Sequence, residues 1–408
     1  MNDLTKQKIK QTLKETKLKR RSQRCKVFTL KIDYSRLNAK EREQLKMFFV
    51  EAKWLYNNIL ASNDPFHYDY KNHTVTILNK DKQPEQRQLK FLSVKLQYCL
   101  MKSIRQNIIN LSKAKKTRKV GKLKFKSEHN SIDLYRYNAT HHIVGHNRIK
   151  ISGIKRPLVV RGLKQIQDHY ELANAKLLKR PSGYYIALTC YEFITVTNTV
   201  PKQEKEIGID FGIKSNLTLS NGEVFNVSIG ESERLKRLQQ KFARQKKCSN
   251  NAYKTKLLIK KEYEKITNKK VDTANKVVHY LLISFSFIYI QDENVRGWHS
   301  DKRFSSVIQY SCMGFIKGKL KRSSRVKMIS KWLPSTKQCY VCNRINVLAL
   351  NDRVYKCECG LVEDRDVKAA KTIMMFGKSQ LRVPMESREF KSAEKLTSSK
   401  QALVCLPS

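Results

Sequence analysis

The sequence is short of acid. Its 408 residues carry 35 Asp and Glu against 83 Lys and Arg, a formal charge of +48. Self-repulsion on that scale destabilises a compact chain, so the shortage calls for a polyanionic partner, and nucleic acid is the expected one. The basic residues run through the whole chain instead of forming one tail. That distribution suits a long channel or several contact surfaces better than a single patch. The sequence also lacks a long hydrophobic run. Nothing approaches the roughly 20 apolar residues that cross a bilayer. The longest apolar run, Val277 to Ile290, is interrupted by His279, Ser284 and Ser286. The Lys-rich N-terminus has no apolar segment of the secretory kind. No membrane partner is expected. A disulfide framework is missing too. Of ten cysteines, four cluster and six (Cys25, Cys99, Cys190, Cys248, Cys312, Cys405) are scattered. That pattern predicts a reducing compartment.

The length allows several domains and at least one sizeable core. Residues 1–25 are polar and basic and read as a flexible arm that orders on nucleic acid or stays solvated. Val27 to Ile32 reads as a strand. Asn38-Ala39-Lys40-Glu41 then has the look of a helix N-cap, and Leu45, Phe48, Phe49, Ala52, Leu55 and Ile59 follow as a helical stripe. Trp54 and Tyr56 could stack on bases, but aromatics in such a stripe are more often core. Phe91 to Leu111 reads as a second amphipathic helix, and Lys113 to Lys126 as a basic loop or strand facing phosphate. Strands are expected at 148–151, 158–160 and 184–189. They make one β-domain with the strand at 27–32, and the helical block is inserted into it. Residues 196–204 read as a linker.

The remainder alternates strands and helices. Ile207-Gly208-Ile209-Asp210 is an apolar strand ending in a carboxylate. Residues 217–227 read as a hairpin with Asn221-Gly222 at its tip. A charged helical stretch over 231–285, broken near Ser249-Asn250-Asn251, leads to a buried strand at 287–291. That strand is followed by Asp292 and Glu293. A strand with a carboxylate, a hairpin, helices and another strand with a carboxylate is the order of an RNase H-like fold.

Two-metal phosphodiester cleavage needs several carboxylates around paired Mg²⁺ ions, which take oxygen ligands. Asp210 sits between small glycines in an apolar strand, where an aspartate is costly unless paired or metal-bound. Asp366 opens the helix Val367-Lys368-Ala369-Ala370, with Asp364 as its competitor, since either could be the cap. Along a strand Gln291 and Glu293 share a face and Asp292 points away. The candidate catalytic and Mg²⁺-binding set is therefore Asp210, Glu293 and Asp366.

Cys339-x₂-Cys342 and Cys357-x-Cys359 enclose 14 residues. Four thiolates suit a tetrahedral structural Zn²⁺, with buried thiols as the alternative. All four positions would be taken by sulfur, which leaves none for water. The second pair is one residue tighter than the usual spacing.

On these residues the chain resembles the TnpB family, RNA-guided nucleases encoded by bacterial insertion sequences and related to type V CRISPR effectors. The resemblance rests on Phe49-Val50-Glu51-Ala52-Lys53-Trp54-Leu55-Tyr56-Asn57, Gly208-Ile209-Asp210-Phe211-Gly212-Ile213-Lys214, and Gln291 through Trp298. It continues through Leu333-Pro334-Ser335-Thr336-Lys337-Gln338-Cys339, Cys359-Gly360, and Asp364 through Ala370. It implies an α+β multidomain fold. A wedge β-barrel (26–36 and 131–198) carries an inserted helical recognition lobe (37–130). A RuvC, RNase H-like α/β nuclease domain (199–337 and 361–378) is interrupted by a zinc ribbon (338–360), and a tail follows (379–408). It further implies a guide RNA, target double-stranded DNA cut beside a short adjacent motif, Mg²⁺ at the carboxylates, and a monomer assembled with its RNA. Three positions depart from the family pattern: Gln291 where many members have Glu, the Cys357-x-Cys359 gap, and Lys368 where Asn is usual. An RNA-guided binder that does not cut, and a strand-transferring transposase, are the alternative functions.

Overall fold

The computed structural model describes residues 3–79, 81, 83–116, 120–194, 205–349 and 352–378. The expected linker at 196–204 and tail at 379–408 lie outside the described residues. The chain divides into two compact units, residues 1–196 and 197–408.

The first unit opens with helix α1 (Asp3–Arg21), followed by strand β1 (Gln23–Ile32) and helix α2 (Ala39–Ala61). A hairpin of β2 (Thr74–Leu78) and β3 (Pro84–Gln88) leads to α3 (Val94–Lys115). Six strands complete it: β4 (Ser131–Leu134), β5 (His141–Val144), β6 (Arg148–Ile151), β7 (Leu158–Arg161), β8 (Glu171–Arg180) and β9 (Gly183–Phe193). Seven of these strands form one antiparallel sheet in the order β4-β8-β9-β1-β7-β6-β5, a nearly closed barrel. The longest ladder pairs β1 with β9 from Gln23 opposite Phe193 to Lys31 opposite Tyr185.

Helix α2 begins where its cap dictates. The Asn38 side chain accepts from the Glu41 amide at 2.8 Å, and Glu41 accepts from the Asn38 amide at 2.9 Å. Leu45, Phe48, Phe49, Ala52, Leu55, Tyr56 and Ile59 are all buried on one stripe. Each large apolar side chain contributes about 1.5–3 kcal/mol on burial. Tyr56 is thus core, and Trp54 packs against the same cluster. Glu51 is buried on this helix, where its carboxylate accepts from the amides of Lys90, Phe91 and Leu92 at 2.7–3.2 Å. That nest ties α2 to the loop before α3 and gives the Phe49-to-Asn57 motif a structural reason.

One expectation changes here. Residues 3–21 of the expected flexible arm are helical, and residues 23–25 already belong to β1. A mostly basic sequence with no apolar stripe hid the helix. At its end Arg20 bonds Glu171 at 2.8 Å. The helical insertion has no core of its own among the described residues. Side chains of α2 and α3 share one cluster with the barrel strands, from Ile32 and Ile132 to Leu188.

The second unit is built on strands β10 (Glu206–Asp210), β11 (Leu217–Leu219) and β12 (Val224–Phe225). Helices α4 (Glu233–Ala243) and α5 (Asn250–Ser284) lead to β13 (Phe287–Gln291). Three short helices, α6 (Val295–Trp298), α7 (Ser305–Tyr310) and α8 (Met313–Leu320), lead to β14 (Val326–Ile329). A separate hairpin of β15 (Val354–Lys356) and β16 (Val362–Asp364) precedes the last helix, α9 (Arg365–Gly377). The sheet order is β12-β11-β10-β13-β14. The first three strands are antiparallel neighbours, while β13 and β14 run parallel to β10. The turn after β11 uses Gly222 at φ +93°, which a side chain would strain.

The apolar run at 277–290 divides between the last turns of α5 and the buried strand β13, with Phe285 as the helix C-cap. Helix α9 lies against β10 through Gly208. A Cβ on Gly208 would come within 2.1 Å of the Ala370 carbonyl oxygen. The absence of a side chain there lets the helix that carries Asp366 approach the strand that carries Asp210.

Candidate active site

Asp210 is the last residue of β10, half-buried at the strand end. Its carboxyl is pushed up to about 7, first by burial and then by the negative charges of Asp366 and Glu293. Arg365 and Lys368 pull the other way. Asp210 thus feels the charges of two carboxylates from remote parts of the sequence.

Asp364 and Asp366 have different tasks. Asp364 is the N-cap of α9: its carboxylate accepts from the amides of Asp366 at 2.9 Å and Val367 at 3.0 Å. Asp366 lies in the first helical turn, half-buried, with Arg365 Nε 3.4 Å and Arg353 Nη1 4.0 Å from its carboxylate oxygens. The helix N-terminus adds a positive dipole end beside it.

Strand β13 stops at Gln291, so Glu293 lies in the loop before α6 and not on a strand face. Its carboxyl is raised, first by burial, while Lys317 opposes the shift. Asp292 is exposed and ion-paired with Lys317 at 2.9 Å, which holds its carboxyl below the usual range. Lys317 Nζ also donates to the Glu293 carbonyl, so one lysine fixes the backbone of the loop.

Gln291 is buried and fully engaged. Its amide donates to the carbonyls of Ser330 at 3.1 Å and Leu333 at 2.7 Å, and its oxygen accepts from Ser335 Oγ at 3.0 Å. A carboxylate could not donate those two bonds. Here the amide is a fastening for the segment that leads into the cysteines.

The four cysteines converge. Cys339, Cys342, Cys357 and Cys359 place their sulfurs within 4.8 Å of one another. Cys342 and Cys357 are 3.4 Å apart, and Cys339 and Cys359 3.7 Å. A tetrahedral Zn²⁺ with Zn–S bonds of about 2.3 Å has sulfurs about 3.8 Å apart, so the donor set fits. The tight Cys357-x-Cys359 gap is accommodated by Gly360 at φ +89°. The Cys359 amide and the Asn346 side chain draw the Cys357 thiol down to about 6, toward the thiolate a metal needs.

Lys368 joins the two regions, and sequence reasoning saw it only as a departure. It is fully buried, and its ammonium donates to the carbonyls of Ser335 at 3.0 Å, Thr336 at 2.5 Å and Gln338 at 3.0 Å. It also lies 3.7 Å over the Tyr355 ring. Burial pulls its pKa down to about 8. Nothing in the sequence marks it beyond its position one turn from Asp364. Lys317 was missed for a similar reason, since it stands among many lysines.

A family model described as "Probable transposase", of the OrfB_IS605 group, matches residues 189–299. A second, described as the Cas12f1-like TNB domain, matches residues 310–373. A "Putative RNA-guided DNA endonuclease" of Streptomyces pristinaespiralis is 26% identical over 247 residues, 56% of this chain and 59% of that protein. A "TnpB-like protein" of Acanthamoeba polyphaga mimivirus is 28% identical over 213 residues, 45% of this chain and 39% of that protein. A Cas12f1–sgRNA–target DNA complex overlays with a TM-score of 0.47 at 12% identity, covering 86% of this chain and 99% of that one. The alignments thus span less than two thirds of these two curated relatives. Both family models fall on the segment that holds the carboxylates and the cysteines, and with these relatives they support the resemblance to the TnpB family.

Proposed function

We propose that the protein is an RNA-guided DNA endonuclease. Asp210, Glu293 and Asp366 would hold Mg²⁺ and cut target DNA beside a short adjacent motif. The observation that carries the reading is the mutual repulsion at Asp210. Two further carboxylates help push its carboxyl up to about 7, an arrangement that is unfavourable without cations between them. The strand order β12-β11-β10-β13-β14, with β10 central, supports an RNase H-like, RuvC-type domain as the mount.

When bound, Mg²⁺ would activate a water and stabilise the leaving 3′ oxygen. The chain's own part is positioning. Asp210 is fixed by the central strand, Asp366 by a helix turn capped by Asp364, and Glu293 by a loop pinned through Lys317. The cysteines would hold Zn²⁺ as a scaffold, and they reach the chemistry only through α9. The +48 charge suits a guide RNA and a heteroduplex, with base pairing reading the target. Scattered thiols suit a reducing compartment.

Asp210→Ala tests the reading. With guide RNA, target DNA and Mg²⁺, the variant keeps RNA and DNA binding and loses cutting by more than about 10³-fold. Retained cutting would overturn the carboxylate assignment.

A further inference from the structure

A cavity of about 440 Å³ opens in the first unit, lined by Arg20, Tyr135, Arg136, Tyr137, Asn174 and Tyr191 among others. It is remote in sequence from the carboxylates and cysteines. Three tyrosines and two arginines around one opening is a composition suited to an aromatic, anionic ligand.

Each wall has a distinct capacity. The Arg20 guanidinium stacks on Tyr191, its carbon 3.6 Å from the ring centroid. Arg20 bonds Gln23 and, at 2.8 Å, Glu171, while Gln23 bonds Glu171 at 3.1 Å. With Lys19 also 2.9 Å from Glu171, the carboxylate stays charged and the guanidinium plane is held in place. A planar ligand could continue the stack that Tyr191 and Arg20 begin.

The opposite strand carries a β-bulge. The ladder between β8 and β9 slips between Leu172 and Ala175. Ala173 and Asn174 therefore have no ladder partners in β9, and both line the cavity. A bulge there presents peptide groups and an amide side chain to the opening instead of to a neighbouring strand. Such groups can bond the edge of a base. Arg136 is exposed in the β4–β5 connection and makes no salt bridge among those of the described residues. It is free to meet a phosphate. The connection is shaped by Asn138 at φ +64°, and Tyr137 is held by the Ile143 amide at 3.3 Å and by His141 edge-to-face at 5.5 Å.

We propose that this cavity is a binding site for one unstacked nucleotide of a single strand. The base stacks on the Arg20–Tyr191 pair, its edge is read by Asn174 and the bulge, and its phosphate meets Arg136. Stacking on an arginine plane and edge bonding are how unpaired bases are held. The site rests on the nucleic-acid partnership proposed above and is independent of cleavage.

The test uses the full-length protein and photocrosslinking. One set of probes is a random-sequence single-stranded RNA containing 5-bromouridine, and the other is the same length of DNA containing 5-bromodeoxyuridine. Crosslinked peptides are mapped by mass spectrometry. The expected result is a crosslink at Tyr135, Tyr137 or Tyr191, and the relative yield of the two probes tells whether the strand is RNA or DNA. Arg136→Ala with Asn174→Ala changes two partly exposed side chains and leaves the melting temperature unaltered. In that variant, the yield at these tyrosines falls at least fivefold, while crosslinks elsewhere persist. Crosslinks confined to other residues, or an unchanged yield in the double variant, would overturn the site and leave the wider partnership standing. Absence of crosslinks anywhere would overturn both.

Discussion

The second unit holds two candidate metal sites built in opposite ways. The cysteine quartet comes from 21 consecutive positions, 339 to 359, and is assembled by two tight turns and one short hairpin. The proposed carboxylate trio comes from positions 210, 293 and 366, on the end of a central strand, in the loop after the neighbouring strand and at a helix start. The first is made of soft donors close enough together to hold one ion. The second is proposed from hard donors whose charges repel. Local chain geometry is enough for a scaffold site. A reactive site must borrow its rigidity from the whole domain.

The largest expected effect separates the two aspartates of α9. Asp366→Ala removes a proposed metal ligand, so cutting falls by more than about 10³-fold while DNA binding and melting temperature hold. Asp364→Ala removes a cap, which costs about 1 kcal/mol of stability and leaves most of the cutting. Asp364→Asn keeps the cap and restores the stability. Cleavage rates and thermal melts on all three variants check this. Equal loss of cutting from both alanine variants would erase the distinction between cap and ligand.

The next test breaks the scaffold without touching a carboxylate. Cys339→Ser with Cys342→Ser should release zinc and loosen 338–363. The Ser335, Thr336 and Gln338 carbonyls that anchor Lys368 sit at the foot of that segment, so Asp366 loses its fixed position. Cutting should fall by about 10–100-fold, as for a second layer around a metal centre, and recover partly at high Mg²⁺. Zinc content, protease cleavage within 340–360 and a Mg²⁺ titration measure each step. Full activity in zinc-free protein would show that the two sites are uncoupled.

How legible each site was follows from the same difference. The Asn38 cap, the Asn221-Gly222 turn and the Cys spacings are local signals, and each appears in the structure where the sequence puts it. Strands ending near Asp210 and Glu293 were also readable, because apolar runs with a carboxylate at the end are rare. Helix α1 was not, since an exposed helix has no buried stripe to betray its period. Strand β14 was hidden in a basic stretch only four residues long. Gln291 and Lys368 stand in the sequence only as departures from the family pattern. Their buried bonds to backbone carbonyls depend on a loop some 30 to 40 residues away, and no spacing rule encodes such a partner. Register at Glu293 was argued from strand alternation, yet the strand ends two residues earlier and Lys317 holds the loop instead.

The smallest effect is the most diagnostic of charge. Asp210 has a folded pKa of about 7 against 3.8 for a free aspartate. Between those values the native state carries a proton that the unfolded chain has lost. The difference in protons bound, unfolded minus native, is negative there, so stability falls as pH rises from about 4 to 7 and is level above. The contribution is fully present below the unfolded pKa. Asp210→Asn has no proton to lose and keeps that stability. Because Asp210 is only half-buried, the separation at pH 8 should be on the order of 2 kcal/mol, a few degrees in melting temperature. The variant should melt above the native protein at pH 8, and the margin should shrink at pH 4. Added Mg²⁺ should raise the native protein at pH 8 and leave the variant nearly unmoved, because cations between the carboxylates relieve the repulsion that protonation relieves in acid. The cysteine quartet predicts no such exchange of proton for Mg²⁺. A melting difference between native and variant that ignores both pH and Mg²⁺ would mean that Asp210 is an ordinary strand-end aspartate.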